Sequence, residues 1–356
     1  MKIVFLGLSI TSSWGNGHAT NYRALVRALV DRGHDVLFLE RDVPWYAARR
    51  DLPAPPWGTT ALYGSLDELR RRFADDVQNA DLVVVGSYVP EGMAVAEWVL
   101  DASGGAVAFW DIDTPITVAK LDAGDDEYLT PALVPRFDLY LSFTGGPLLR
   151  RIEREFGARR AVPFYCMADP DAYRPLREDA QWLIGYLGTY SEDRQRSLDS
   201  LLVESARRLH AERFVVAGPQ YPPAIDWPPN VERIEHLAPT EHPRFYARQR
   251  FTLNVTRAAM VRSGWSPSVR LFEAAACATP VISDWWEGLD RFFRPGAEIL
   301  VARSANDVVE LTQTLTPDDA RRIGSAARER VLAEHTPTRR AEALEENVRS
   351  PAGVAA

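Results

Sequence analysis

In SPSVRLFEAAACATPVISDWW at residues 266–286, the carboxylate Glu273 falls within a stretch that otherwise reads as a buried helix followed by a buried strand. Burying an ionised carboxylate without partners costs several kcal/mol, so this acid calls for hydrogen-bond donors. The two hydroxyls of a ribose diol would supply them, and so would an ion pair with Arg270 or another arginine. The helix carrying Glu273 begins near Ser268, just after Pro267, and its first turn presents backbone N–H groups.

Three other stretches have residue types suited to chemistry. In GLSITSSWGNGHATN, Gly15 and Gly17 flank Asn16 and let the backbone approach a ligand, while the helix that follows turns its positive end toward an anion. His18 stands at that helix entrance, either as an acid/base group or as an incidental cap. The spacing departs from the dinucleotide pattern G-x-G-x-x-G, which argues against a nicotinamide or flavin. In GYLGTYSEDRQ, the residues Gly188, Thr189, Tyr190, Ser191 and Arg194 put N–H groups, hydroxyls and a cation ahead of a helix. That set suits a phosphate, and an ordinary Ser191 cap among solvated charges has the same spacing. In DIDTP, Asp111 and Asp113 stand at a strand end, as a general base, as ligands of an acceptor hydroxyl, or as structural acids.

These residues need elements to position them. KIVFLGL, HDVLFLE, ADLVVVGSY, AVAFWDI and DLYLSFT read as strands, alternating with helical stretches. A second alternating series runs through WLIGYLG, RFVVAG, VERIEHL, FTLNVT and TPVISD. Capping-box pairs at Ser65/Glu68, Ser304/Asp307 and Thr316/Asp319 predict helix starts. Such alternation predicts parallel sheets covered by helices on both faces. DPDAYRPLRED breaks the pattern, giving a first domain at 1–168, a linker at 169–180, a second domain at 181–340 and a tail at 341–356. Ligands of open parallel sheets sit beyond the carboxyl ends of the strands, so the candidate residues are expected to line a cleft.

Composition narrows the function classes. With 356 residues, 46% of them hydrophobic and 25% charged, the chain suits two globular domains. A formal net charge of -8 disfavours a nucleic-acid partner. Cys166 and Cys277 are the only cysteines and lack metal or disulfide spacing, which fits a reducing cytoplasm. The opening MKIVFLGLSI reads as a first strand, and no apolar run approaches the roughly 18 residues of a membrane span.

On GYLGTYS and the following DRQ, SPSVRLFEAAACATPVISDWW and GLDRFFRPGAEILVA, the chain resembles GT-B glycosyltransferases, most closely the group-1-like and CgeB-like spore-maturation glycosyltransferases. FWDIDTP, LSFTGG and DPDAYRP agree more weakly. The resemblance implies an α/β protein of GT-B architecture, with two Rossmann-like αβα domains facing across a cleft. It implies a nucleoside-diphosphate sugar on the C-terminal domain, a hydroxyl or amine acceptor on the N-terminal domain, and a last helix crossing back to the first domain.

By motif, Glu273 resembles the second acid of the family's Glu-x7-Glu signature, which holds the donor ribose. Trp265 stands where the first acid is expected, leaving donor sugar and stereochemistry open. Ser266, Ser268 and Val269 match the turn that meets the diphosphate, with Gly188, Thr189 and Arg194 matching the opposite phosphate loop. Arg257 is a further cation for the leaving group. Two tandem αβ domains argue against reading Asp111 and Asp113 as a metal-binding Asp-x-Asp, so neither an obligatory metal nor a bound cofactor is expected. Trp285 is one of several tryptophans suited to stacking on a sugar. The rival functions are a nucleotide-sugar epimerase of the same architecture and a noncatalytic nucleotide-sugar-binding protein.

Overall fold

A computed structural model describes residues 1–349, which form two compact units. The first contains Met1–Cys166 together with the helix Pro337–Arg349, and the second is Met167–Thr336. Residues 169–180, expected as a linker, group with the second unit. The part of the expected tail beyond residue 349 lies outside the described residues.

In the first unit, β1 (Lys2–Gly7), β2 (Asp35–Arg41), β3 (Thr59–Tyr63), β4 (Leu82–Gly86), β5 (Ala106–Asp111), β6 (Leu139–Ser142) and β7 (Ala161–Pro163) form one sheet in the order 3-2-1-4-5-6-7. Every pairing is parallel. Strands covered on both faces must be apolar along their length, and β4 (LVVVG) is buried throughout. Strand order reverses between β1 and β4, the position where open sheets bind ligands. The loop after β1 starts there.

The second unit repeats the plan with β8 (Trp182–Leu187), β9 (Phe214–Ala217), β10 (Val231–Ile234), β11 (Gln249–Asn254), β12 (Val281–Ser283) and β13 (Leu300–Val301), in the order 10-9-8-11-12-13. Its order reverses between β8 and β11, where Leu253 pairs with Tyr186. GYLGTYS and NVTR leave the sheet at those two strand ends.

The helix starts follow the side-chain chemistry. Ser304 with Asp307, and Thr316 with Asp319, form reciprocal capping boxes. At Ser65 the hydroxyl accepts from Glu68 N at 3.2 Å, but the Glu68 carboxylate reaches one residue further back, to Gly64 N at 2.7 Å. The helix expected after GTYS is present in three pieces: α-helical Glu192–Leu198, a wider π turn at Asp199–Val203, and α-helical Glu204–Arg208. The edge strands β3, β7 and β13 were not apparent in the sequence pattern. TTALY, AVP and LV carry no sustained buried run such as LVVVG in β4 or LYLS in β6, so the pattern does not mark them.

The helix Pro337–Arg349 packs on the helix Ala19–Asp31 within the first unit. Glu345 takes Arg32 Nε at 2.5 Å and Nη2 at 2.9 Å, and lies 2.9 Å from His34 Nε2. Arg340 Nε donates to Tyr165 O at 2.7 Å, and Arg160 Nη2 to Asn347 Oδ1 at 2.6 Å.

Candidate functional site

In the second unit the site is built where β8 and β11 end. Gly188, directly after β8, donates its N–H to Ala217 O at 2.9 Å, and Tyr190 N donates to Pro219 O at 3.0 Å. The backbone is tight here. A Cβ on Gly188 would stand 2.7 Å from Arg270 Nη2, and one on Gly218, at φ 141°, would collide with Gly188 O. Arg194 Nη2 ties the loop down by donating to Thr189 O at 2.6 Å.

Asp193 organises the cations beside that loop. It accepts from the Ser191 hydroxyl and from Ala258 N at 3.2 Å, and lies 3.5 Å from Arg257 Nε. Burial alone would raise the Asp193 carboxyl, but Ser191, Arg257 and Arg194 outweigh it and hold the group below its usual value. Ser191 occupies the N-cap position of Glu192–Leu198 without a side-chain capping bond, because its hydroxyl goes to Asp193.

Arg270 does not form the ion pair with Glu273 that the sequence leaves open. Its guanidinium turns toward β8, donating through Nε to Leu187 O and through Nη1 to Asn254 Oδ1 at 3.1 Å. It stacks over the Tyr186 ring, 4.8 Å from the centroid. The residue is 8% exposed and has no carboxylate partner among the described residues. Nη2 is left beside Gly188, without a protein acceptor and not sealed from solvent. A buried cation served only by neutral oxygens retains an unmet demand for an anion.

The turn before the helix Val269–Ala276 is held by a polar chain. Ser268 Oγ donates to Asn254 Oδ1 at 2.7 Å, and Asn254 Nδ2 reaches Ser283 Oγ at 2.9 Å and Thr256 Oγ1 at 3.2 Å. Asp284 closes the chain on Thr256 N at 3.0 Å and Thr256 Oγ1 at 2.8 Å. Because Ser268 is committed to Asn254, it leaves the first turn of its helix without a side-chain cap. Ser266 is 2% exposed and Val269 begins the helix.

Glu273 is 4% exposed. Tyr246 OH donates to its Oε2 at 3.4 Å, and His242 Nδ1 stands 3.8 Å from the same oxygen, with Tyr173 OH 3.3 Å from that nitrogen. Burial, reinforced by the Glu273 charge, pushes the Tyr173 and Tyr246 hydroxyls well above their ordinary range, so both remain donors. A carboxylate accepts at about four positions, so contacts to one oxygen leave capacity on the other.

Trp265 adopts φ 43°, a conformation costing a bulky residue about 1–3 kcal/mol. Its N–H donates to Glu287 O at 2.7 Å and its ring covers Gly288. Trp285 is 39% exposed, whereas Trp286 is buried.

In the first unit, the loop after β1 is held by a residue the sequence did not single out. Glu40, at the end of β2 and in register with Gly7, is fully buried. It accepts from Ser9 Oγ at 3.0 Å, Ile10 N at 2.8 Å, Thr11 N at 3.0 Å and Thr11 Oγ1 at 2.6 Å. This latch fixes the loop that presents Trp14, Gly15, Asn16, Gly17 and His18. Asn16 Oδ1 accepts from His18 N at 3.1 Å, and His18 occupies the N-cap position without a side-chain cap bond. Its ring lies 5.8 Å from that of Phe143. Gly15 and Gly17 are exposed.

Asp111 is placed differently from a group that meets an acceptor. It has no exposed surface, and its carboxylate is occupied by Tyr140 OH at 2.5 Å, Thr117 Oγ1 at 2.7 Å and Asp113 N at 3.2 Å. Burial pushes its pKa up to about 6, against the pull of the Tyr140 and Thr117 hydrogen bonds. It acts on the turn leading to Asp113, which is 9% exposed and accepts from Tyr88 OH at 3.2 Å.

This pair of Rossmann-like units is the GT-B architecture. A family model described as glycosyl transferase-like matches residues 194–346. No curated protein matches the chain in sequence. Among solved structures, sucrose-phosphate synthase from Thermosynechococcus elongatus superposes with a TM-score of 0.70 at 15% identity, covering 98% of each chain. Anabaena HepE, in complex with UDP and glucose, gives 0.73 at 13% identity over 98% of this chain and 99% of its own. An alpha-glucosyltransferase in complex with UDP and DNA gives 0.70 at 13% identity, with the same coverages. Among the described residues no helix is long and apolar enough to cross a membrane.

Proposed function

We propose that the protein is a glycosyltransferase that moves a sugar from a nucleoside-diphosphate donor to a hydroxyl or amine acceptor. The observation that carries this reading is Arg270, a nearly buried cation without an acid, aimed at the Gly188 loop. A diphosphate there would meet Arg270 Nη2, the first turn of Val269–Ala276, and the cations Arg194 and Arg257. Glu273 would hold the ribose through its second oxygen. Support comes from the glycosyl transferase-like match over residues 194–346 and from UDP in the complexes of HepE and the alpha-glucosyltransferase.

The departing diphosphate gains charge as the glycosidic bond breaks, so preorganised cations favour the transition state over the ground state. Three arginines supply that field, and transfer is expected to survive chelation by EDTA. In the first unit, His18 is the acid/base group proposed for the acceptor, with Asp113 as a hydroxyl ligand and Asp111 positioning the turn. Their setting and the net charge of -8 suit a small-molecule, glycan or protein acceptor rather than nucleic acid. No cofactor is proposed, and the cytoplasm is the proposed location.

Ligand binding to the native state raises its melting temperature, so a thermal-shift screen of UDP, GDP, ADP and their sugars tests the donor site directly. Stabilisation by one nucleotide series is expected. No response to any member would overturn the reading. Glu273→Gln should weaken the responding nucleotide by roughly tenfold, the scale of one charged hydrogen bond.

Trp265 favours a second reading, because a bulky ring held in a left-handed conformation occupies the place of the signature's first acid. Without that acid the protein would bind nucleotide sugar but not transfer it, or would act as an epimerase. Product analysis with and without an acceptor panel separates the three: transfer needs acceptor, epimerisation does not, and a binding protein gives neither.

A further inference from the structure

The loop after β1 and the segment after β2 form a second built feature, outside the donor site. Trp45 is 55% exposed on the short helix Pro44–Ala47. The Arg49 guanidinium carbon lies 4.1 Å from the Trp14 ring centroid and 5.1 Å from that of Trp45. The stack is anchored by its backbone. Ser12 Oγ donates to Arg49 O at 2.7 Å, Leu52 N to Thr11 O at 3.0 Å, and Arg50 Nε to Thr11 Oγ1 at 3.0 Å. Thr11 is itself clamped by Glu40. The latched β1 loop and the segment after β2 thus bring two indoles within cation–π distance of one guanidinium.

The charges around the stack are already satisfied, apart from one. Asp42 pairs with Arg50 at 2.6 Å. Asp51 takes Arg23 through two 2.9 Å hydrogen bonds, together with Ser13 N and Oγ. Arg49 is exposed and has no carboxylate partner among the described residues. An arginine stacked on rings keeps its in-plane N–H edge free, the geometry that receives a carboxylate or phosphate. An exposed indole offers an apolar face to a flat, weakly polar surface such as that of a pyranose ring.

We infer that Trp14, Arg49 and Trp45 form the subsite for an anionic sugar unit of the acceptor. The sugar ring lies on the open face of Trp45, and its carboxylate or phosphate meets the edge of Arg49. This rests on the proposed glycosyl transfer, because the same β1 loop presents His18. The observations disfavour a membrane surface as the occupant: the net charge is -8 and neighbouring Arg50 and Arg23 are neutralised by acids, with Arg49 the cation of the stack that has no carboxylate partner among the described residues.

The test is calorimetry on the full chain with four probes: a glucuronate-containing oligosaccharide, a 6-phosphorylated oligosaccharide, a neutral oligosaccharide of matched length, and phosphatidylglycerol vesicles. Wild type should prefer at least one acidic saccharide over the neutral one by roughly tenfold or more, the scale of a charged hydrogen bond. The two acidic arms show which anion is used. Arg49→Gln should abolish the preference, and Trp45→Ala should weaken both kinds of saccharide. Equal affinity for acidic and neutral probes, binding of vesicles alone, or no binding at all would overturn the inference. A wild-type protein that is stabilised by a nucleotide yet ignores every saccharide loses this subsite only. One that ignores nucleotides loses the proposed function instead.

Discussion

Arg270 and Glu273 lie three residues apart on one helix, yet their side chains serve different neighbours. Arg270 crosses to the end of β8, and Glu273 turns to Tyr246 and His242. If, as proposed, Arg270 meets a diphosphate and Glu273 a ribose, their effects should separate when ligands are cut into parts. Arg270→Met is therefore expected to lower nucleoside-diphosphate affinity about 10- to 100-fold while leaving the free nucleoside unchanged, as measured by calorimetry. Equal losses for both ligands would show a merely structural arginine. Glu273 was legible in the sequence because an acid in an apolar run needs a reason. The direction of Arg270 was not, since the acceptors it meets come from strands 16 and 83 residues away. Glu40 was hidden for a related reason. Its function depends on parallel pairing with β1, and nothing in HDVLFLE shows which strand lies beside it.

At the scale of elements, the strongly apolar strands and the capping boxes were readable because their signals are local. The short edge strands and the π turn were not, because tertiary pairing decides them. The helix Pro337–Arg349 gives the clearest element-level test. Hydrogen bonding from Arg32, aided by His34 and opposed by burial, holds the Glu345 carboxyl down near 2. In the unfolded chain a glutamate titrates at ~4.3. A lowered native value means that the contribution to docking is complete above that unfolded value and is lost as pH falls through it toward about 2. Hydrogen exchange of residues 337–349 should accelerate over this acid range relative to β4. Arg32→Ala should remove most of the difference between neutral and acidic pH. An unchanged pH response in that variant would refute the assignment.

For the whole molecule, chain connectivity matters more than the number of units. The first unit is discontinuous, closed by the helix at 337–349, while the second is one uninterrupted segment. Gly188, Thr189, Tyr190, Arg194, Arg257, Ser266, Ser268, Val269, Arg270 and Glu273 all belong to that segment. Residues 167–336 expressed alone should therefore retain the thermal shift with the responding nucleoside diphosphate, whereas residues 1–166 alone should unfold more readily than in the full chain. Loss of the nucleotide response in a folded 167–336 fragment would mean that the first unit contributes to donor binding.

The helix at 337–349 also sets how the molecule would carry tension. With handles attached at residues 2 and 349, force would run from β1 through the first unit into the docked helix, by way of Arg32, His34 and Arg160. The second unit lies off that path. By chain connectivity it would come under tension only after the helix sheared away, so the first rupture is expected to report the strength of one helix contact.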